Sequence, residues 1–205
     1  MPTCARRIFV KPAKKTAKQR RKQAGQALLV AAQGSDRDAM GRLLDGGLDV
    51  NALVETSKHP RTGRPIGTSA LHLAVYNKQE AAVRLLLDRG ADPNLVDSLG
   101  GTPLMSAAAN GFLPLLRLLL ESKAGVDAVR PQDGATAFHY ACAKGEPNIA
   151  HALIMQGCKT DIRDPRGITA RDCARLSGRM LCLEKIDGLA VLDAVHHADG
   201  ETVDL

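Results

Sequence analysis

Short apolar stretches at helical spacing alternate with glycine- and proline-containing turns along most of the chain. In one such stretch Leu104 is followed by the small residues Ala107 and Ala108, and Gly111 then interrupts the pattern. A leucine-rich segment comes next, with Pro114 near its start. Apolar residues three and four positions apart share one face of a helix, and proline is tolerated in the first turn. The pattern predicts pairs of short helices joined by tight turns.

This helix-pair pattern recurs at a nearly constant period. Four segments align with little adjustment, and each carries a hydroxyl residue at the same place: Ser69, Thr102, Thr136 and Thr169. These residues are separated by 33, 34 and 33 positions. A hydroxyl side chain there can cap the first helix of each pair. A weaker copy begins at Gln26, so the sequence predicts about five units.

The aligned segments resemble the ankyrin repeat, whose signature is Thr-Pro-Leu-His-x-Ala at a period of 33 residues. The segment Gly90 to Asn94 also resembles the Gly-Ala-Asp-x-Asn ending of the family. The resemblance implies an all-α ankyrin-repeat solenoid of stacked helix-turn-helix units with hairpin-like loops. The organisation expected is a basic arm at 1–23, a repeat domain at 24–187 with units at about 24–52, 64–96, 97–130, 131–163 and 164–187, and a tail at 188–205 with a possible short helix.

The two ends and the spacing depart from the regular pattern. Gln26 replaces the hydroxyl residue of the first unit, and Arg171 and Asp172 replace Leu and His in the last unit. Polar residues on an outward face are typical of capping units. The link at 52–66 is about ten residues too long and rich in Pro and Gly, which predicts an inserted loop. One further extra residue is assigned to Glu121–Gly125.

Composition restricts the functional classes. Of the 205 residues 44% are hydrophobic, yet Trp is absent and the chain has two Tyr and three Phe, so Leu, Ala, Val and Ile must form the core. The longest apolar stretch, around Phe112 to Leu120, is interrupted by Arg117. It is shorter than the roughly 20 residues that a membrane-spanning helix needs. We expect a soluble, monomeric protein that makes no membrane contact.

No catalytic or metal-binding pattern stands out. The sequence contains neither a glycine-rich phosphate loop nor a nucleophile motif, and its five cysteines lack Cys-x-x-Cys spacing. Scattered cysteines favour reduced thiols and a cytoplasmic or nuclear location. His72 and His139 occupy the signature position at which ankyrin repeats use His to hydrogen-bond between units. We expect a non-enzymatic protein without a cofactor.

The resemblance implies that a protein partner binds on the concave side, which consists of the loops ("fingers") and the exposed face of the first helices. Tyr76 is the best anchor, because Tyr is enriched among residues that dominate binding energy. Ile66, Leu99 and Ile168 are expected at finger tips that face water, the alternative being packing between fingers. The candidate partner-binding residues are Ile66, Thr68, Tyr76, Asn77, Leu99, Asn110, Asp133, Lys144, Arg166 and Ile168. The matching helix positions also include Gln33, Ala109, Ala143 and Leu176.

The N-terminal arm forms a second candidate site. Residues 1–35 contain nine Lys and Arg and no acid, whereas the rest of the chain carries a net charge of −3. Such a segment is typical of a solvated extension, a nuclear-import signal or a nucleic-acid contact. The second hypothesis is therefore a nuclear, nucleic-acid-associated regulator that uses the arm together with the bases of the inserted loop. The candidate residues of the arm are Lys14, Lys15, Lys18, Arg20, Arg21 and Lys22.

Overall fold

The protein is described from a computed structural model, which covers residues 16–58, 63 and 65–188. This part of the chain contains ten helices and one antiparallel sheet of two strands. In chain order the elements are α1 (Ala17–Gly34), α2 (Arg37–Asp45), β1 (Val54–Lys58), β2 (Pro65–Thr68), α3 (Ala70–Tyr76), α4 (Glu80–Asp88), α5 (Pro103–Ala109), α6 (Leu113–Glu121), α7 (Ala137–Lys144), α8 (Pro147–Met155), α9 (Ala170–Leu176) and α10 (180–188).

The hydroxyl residues begin the first helices of units two to five, as the sequence predicts. Ser69, Thr102, Thr136 and Thr169 each accept a hydrogen bond from the backbone N–H three residues later, at 3.4, 3.2, 3.4 and 3.3 Å. These bonds satisfy N–H groups that have no partner within the helix. The spacing of the four caps therefore sets the spacing of the units.

The helices form two layers of a stack. The first helix of each unit, called the inner helix, packs against the next one in the order α1, α3, α5, α7 and α9. The second helices, called outer helices, pack in the order α2, α4, α6 and α8. Leu86, Leu119 and Leu153 occupy equivalent positions of three outer helices and are fully buried. The predicted all-α solenoid is confirmed.

Polar side chains link each unit to the next. Asn51 accepts a bond from Asp92 N at 2.8 Å, and Asn94 accepts one from Gly125 N at 2.6 Å. His72 Nε2 lies 3.0 Å from the carbonyl oxygen of Gly101 in the following unit. Buried backbone groups are costly unless they are hydrogen-bonded. These contacts give the predicted inter-unit role of His72 a direct structural basis.

The first inner helix is much longer than the others. It begins after Thr16, which caps the helix N-terminus through a capping box with Gln19. The helix runs without a break through residues 23 and 24, the expected end of the arm. Its first turns lie beside β1. A Cβ at position 25 would lie 2.7 Å from Cγ2 of Val54, so Gly25 permits this close approach. The part of the arm that the structure describes is thus joined to the repeat domain by packing.

The inserted loop contains a β-hairpin. Val54 pairs with Thr68 and Lys58 pairs with Pro65, with a register shift between Glu55 and Ser57. The proline and glycine content of the segment predicts a loop over its whole length. The strands themselves alternate β-branched residues with others, a pattern that favours pairing. Regular structure here depends on backbone hydrogen bonds between residues about ten positions apart, which composition does not reveal.

The single extra residue of the third repeat lies in a finger, not near Glu121–Gly125. The backbone turns at Gly90 and Lys123 have matching φ values of 82° and 67°, and they are 33 positions apart. The finger hydrogen bonds then diverge: Asp97 N bonds Gly101 O, whereas Arg130 N bonds Ala135 O. The third unit therefore keeps its helices and turn in register, and the finger that follows it is one residue longer.

Candidate functional site

Aspartate side chains shape two of the fingers. Asp97 Oδ1 accepts bonds from Leu99 N and Gly101 N at 2.8 and 2.9 Å, and Asp164 Oδ1 accepts bonds from Arg166 N and Ile168 N at 2.9 Å each. The bond from Ile168 N lowers the pKa of the Asp164 carboxyl group, and Arg166 contributes in the same direction. Each of these two finger tips is therefore held by one oxygen of an aspartate side chain.

The longer finger between them is built differently. Arg130 occupies the place of these aspartates, and its Nη1 donates to the hydroxyl of Tyr140 on α7 at 2.8 Å. Tyr140 donates in turn to Asp133 Oδ2 at 2.7 Å. Burial raises the pKa of Tyr140, and the bond to Asp133 acts in the same direction, so the hydroxyl stays protonated and can donate. This network joins the finger to the inner helix. No local motif of the sequence singles out Arg130 or Tyr140.

The apolar residues exposed on the fingers differ from those expected. Ile66, Leu99 and Ile168 are half-buried, and this favours the alternative of packing between fingers. The position that faces water is instead held by Leu53, Val96 and Val129, whose exposed fractions are 49%, 47% and 51%. These three residues, called the finger row, recur at one place in successive units. The period could have identified them, because their separations of 43 and 33 match those of the units once the inserted loop is allowed for.

A second set of recurring positions lies at the ends of the inner helices. Tyr76 is 66% exposed and Leu176 is 75% exposed. Between them, at equivalent positions, Ala109 and Ala143 are half-buried. These four residues, called the inner-helix row, are apolar along its whole length. The row therefore has a large exposed side chain at each end and small alanine side chains between them.

The remaining predicted partner-binding residues have mixed exposure. Asn77, Asn110, Asp133, Lys144 and Arg166 are exposed, and Thr68 is half-buried. Arg166 is engaged by its own finger, since its Nη2 lies 2.7 Å from Asp164 Oδ2. Asn110 Nδ2 donates to the carbonyl of Ser106 at 2.7 Å on the same helix. Asn77 and Lys144 lie next to Tyr76 and Ala143 and border the inner-helix row.

The basic arm is only partly covered. Lys14 and Lys15 lie outside the described residues, while Lys18, Arg20 and Arg21 lie on α1 with side chains that the structure does not describe. Lys22 is exposed and pairs with Glu55 of β1, with Nζ 3.2 Å from Oε2. The first turns of α1 and strand β1 are therefore neighbours. The predicted short helix of the tail, from residue 189, also falls outside the described part.

Both signature histidines are buried, but the predicted hydrogen bond between units is present only at His72, because the buried Nε2 of His139 has no partner among the described residues. His72 and His139 are 5% and 3% exposed, and their Nδ1 atoms lie 2.8 and 2.9 Å from the hydroxyls of Ser69 and Thr136. Burial lowers the pKa of both imidazoles, so they are neutral at pH 7. In the last unit Asp172 occupies the same position and accepts from the Thr169 hydroxyl at 2.7 Å. The expected polar replacement of His is thus a cap of α9.

The cysteines that the structure describes are free thiols, and most of them are buried. Cys142, Cys158 and Cys182 are buried and unpaired, and burial raises the pKa of Cys158 to about 12. Within the ranges that the structure describes, no group of three or more His, Cys, Asp or Glu side chains could hold a metal ion. None of the described helices is both long and apolar enough to span a membrane.

Comparison with known proteins agrees with this architecture. A family model described as ankyrin repeats (3 copies) matches residues 2–97 and 71–164. The transient receptor potential cation channel subfamily A member 1 homolog of Caenorhabditis elegans is 33% identical over 148 residues, which are 72% of this chain and 11% of that protein. The B-cell lymphoma 3 protein homolog of Mus musculus is 36% identical over 110 residues, 53% of this chain and 24% of that protein.

A third relative carries an enzyme's name. The glycerophosphocholine phosphodiesterase gde1 of Schizosaccharomyces pombe is 36% identical over 119 residues, which are 57% of this chain and 10% of that protein. The chain spans no more than about a quarter of the length of these three relatives. The family match, the capped helix pairs and the period together show that the chain belongs to the ankyrin-repeat family.

Proposed function

We propose that the protein is a non-enzymatic adaptor or regulator that binds a partner protein across the finger row and the inner-helix row. Ankyrin repeats are protein–protein interaction modules, and this one presents apolar side chains that have no task within the stack. Exposed Tyr side chains are frequent anchors of protein interfaces. The observation that carries the proposal is the exposure of Tyr76 and Leu176 at equivalent positions at the two ends of one row.

The spacing of these anchors limits the partner segment. Packed helices lie about 8–10 Å apart, so three steps from Tyr76 to Leu176 cover roughly 24–30 Å. An extended peptide rises about 3.3 Å per residue and would need about eight or nine residues to reach both anchors. Between them, Ala109 and Ala143 leave room for the partner's own side chains. A partner segment with apolar side chains at both ends and larger ones in its middle fits this row.

The test is recovery of partners by proximity labelling in native cells, comparing the wild-type chain with the double variant Tyr76→Ala/Leu176→Ala. We expect the variant to lose the partners that the wild type labels, because truncation of both anchors removes most of the apolar contact. Circular dichroism and thermal melting should be unchanged, since both side chains are mostly exposed.

The matched control is Met155→Ala on the outer helix α8. Met155 is 65% exposed, comparable to Tyr76, but lies on the opposite layer of the stack. It should retain every partner. Equal loss in the control and the double variant, or loss accompanied by unfolding, would count against binding through the inner-helix row.

A second candidate function is a nuclear, nucleic-acid-associated regulator. The contact between α1 and β1 favours it, because the arm and the inserted loop, which contains Lys58, Arg61 and Arg64, become neighbours. Arg61 and Arg64 themselves lie outside the described residues. Neutralised phosphates release counterions, so binding to duplex DNA or RNA would weaken steeply with salt.

This candidate is tested by replacing Lys14, Lys15, Lys18, Arg20 and Arg21 with Gln, a residue that keeps helix propensity. We expect the variant to lose both duplex binding and its salt dependence. A chain with Lys144→Gln and Lys159→Gln, two exposed bases outside the arm, serves as control. Wild-type binding that is absent at low salt, or that is unaffected by the arm variant, would remove the nucleic-acid function.

A further inference from the structure

The first unit has an uncovered apolar face at the N-terminal end of the stack. On the side of α1 and α2 that points away from α3 and α4, a groove of ≈ 670 Å³ is lined mainly by Ala27, Val30, Ala31, Ala39 and Leu43. Val30 is 68% exposed and Ala27 is exposed as well. The sequence pattern predicts a polar capping face here. The structure shows that the polar substitution at Gln26 does not extend across this surface.

The backbone shows which residues of the second unit correspond to this face. Ser35 and Lys78 have φ values of 59° and 60°, and Gly47 and Gly90 have values of 81° and 82°. Both pairs are 43 positions apart, so the two units superpose residue by residue with this offset. The equivalence holds for the whole helix pair, because α2 and α4 have the same length and begin 43 positions apart.

With this offset the groove consists of positions that normally lie between units. Ala27, Ala39 and Leu43 correspond to Ala70, Ala82 and Leu86, which are 1%, 1% and 0% exposed in the second unit. In the first unit Ala27 is exposed, and Ala39 and Leu43 are only half-buried. The first unit has therefore kept the apolar face that stacks on a preceding unit. An exposed apolar surface of this kind marks an interaction site.

An ordinary preceding repeat does not fit this end. Residues 22–25 correspond to β2 (Pro65–Thr68), the finger strand that leads into an inner helix, but here they are part of α1. A preceding unit would approach through a finger at this place. Because α1 occupies the place of that finger strand, the groove is open to a partner that approaches without a finger at this position.

The rim of the groove carries one charge of each sign. Asp36 and Arg42 border the apolar floor, and neither forms an ion pair within the residues that the structure describes. A two-fold axis that passes midway between Asp36 and Arg42 would bring Asp36 of one copy to Arg42 of the other. Symmetric interfaces need a patch that is complementary to itself, and an apolar floor with opposite charges on its rim meets this condition.

We propose that this face binds a second copy of the chain, with the two stacks meeting at their N-terminal ends. The contact continues the interface by which the first unit covers the second, using the same alanine and leucine positions. It differs from the monomer expected from the sequence, and it leaves the finger row and the inner-helix row of both copies uncovered.

The experiment is sedimentation velocity on the full chain over a concentration series. We expect a reversible dimer, and Val30→Asp should shift the equilibrium at least tenfold toward monomer, because it places a charge on the apolar floor of both copies. Met155→Asp, an equally exposed apolar position on α8, should leave the dimer unchanged. Circular dichroism of both variants checks that the fold is kept.

Two results would overturn the proposal. One is a wild-type chain that sediments as a monomer at every concentration, and the other is a dimer that Val30→Asp and Met155→Asp affect equally. A chain beginning at Thr16 identifies the other occupant: if only this truncated chain dimerises, residues 1–15 cover the groove in the full chain and the proposed dimer is wrong.

Discussion

We expect the stability of the stack to depend on pH because of two buried histidines, His72 and His139. His72 and His139 are neutral in the folded chain because burial lowers the pKa of each imidazole. In the unfolded chain an imidazole has a pKa of about 6.5. Below that value the unfolded state binds protons that the folded state does not, so folding loses stability as pH falls. The stabilising contribution is complete only above the unfolded pKa.

We expect the free energy of unfolding, measured by urea denaturation, to decrease between about pH 7.5 and pH 5, the interval in which free imidazoles titrate. The double variant His72→Gln/His139→Gln should be less stable at the higher pH but should show a flatter dependence. His151→Gln, which removes an imidazole outside this buried pair, serves as the control for the loss of a histidine. Equal slopes in the wild type and the double variant would contradict the assignment.

A second residue-scale prediction concerns Lys123, which has a φ of 67° where the preceding and following units have Gly90 and Gly157. A residue with a Cβ pays roughly 1 kcal/mol in this region. Lys123→Gly should therefore stabilise the chain by about that amount in urea denaturation. Lys78→Gly, at a φ of 60°, should gain less, because Lys78 Nζ lies 4.2 Å from the centre of the Phe112 ring and this contact would be lost. If Lys123→Gly leaves the free energy of unfolding unchanged, the backbone at Lys123 is not strained.

At the scale of elements, the inner helices and their caps were predictable and the fingers were not. Period and side-chain type identify Thr102 or Thr136 as caps, because capping is a local interaction between residues three positions apart. The strands β1 and β2 and the network of Arg130 with Tyr140 depend on contacts between segments that are remote in sequence. The same reason explains the candidate site: Tyr76 is exposed as expected, whereas Leu99 is half-buried in a finger where Asp97 accepts from its backbone N–H.

The finger that contains Arg130 provides the prediction at this scale. Tyr140→Phe removes the hydroxyl that links Arg130 to Asp133, and we expect a loss of about 0.5–1.5 kcal/mol in the free energy of unfolding. Because the three groups form one network, Asp133→Asn should cost less in the Tyr140→Phe background than in the wild type. Strictly additive losses in this double-mutant cycle would show that the hydroxyl does not couple the finger to α7.

At the scale of the whole molecule, stability is a sum of units and of the contacts between neighbours. Central units have a neighbour on both sides, whereas the last described unit, formed by α9 and α10, packs on one. An ion pair between Arg171 and Asp187 links α9 to α10. Both side chains are half-exposed, and exposed ion pairs contribute little to the free energy of unfolding. The described stack is therefore weakest at its C-terminal end.

Native-state hydrogen exchange should show this gradient. We expect the slowest amides in α5 to α8, around the fully buried Leu116 and Leu119, and faster exchange in α9 and α10. Leu119→Ala should cost about 2–5 kcal/mol and should speed exchange in α5 to α8. Uniform protection from α3 to α10 would mean that the stack unfolds as one cooperative unit.

The links between neighbouring fingers have a consequence for recognition. Gly67 and Ser98 exchange hydrogen bonds of 2.8 and 3.0 Å, and Arg130 Nε donates to the carbonyl of Leu99 at 2.9 Å. The three loops are thereby tethered in series before any ligand arrives. Binding would therefore cost less conformational entropy of the loops than it would if the loops moved independently. The smaller entropy loss raises the affinity without any additional contact.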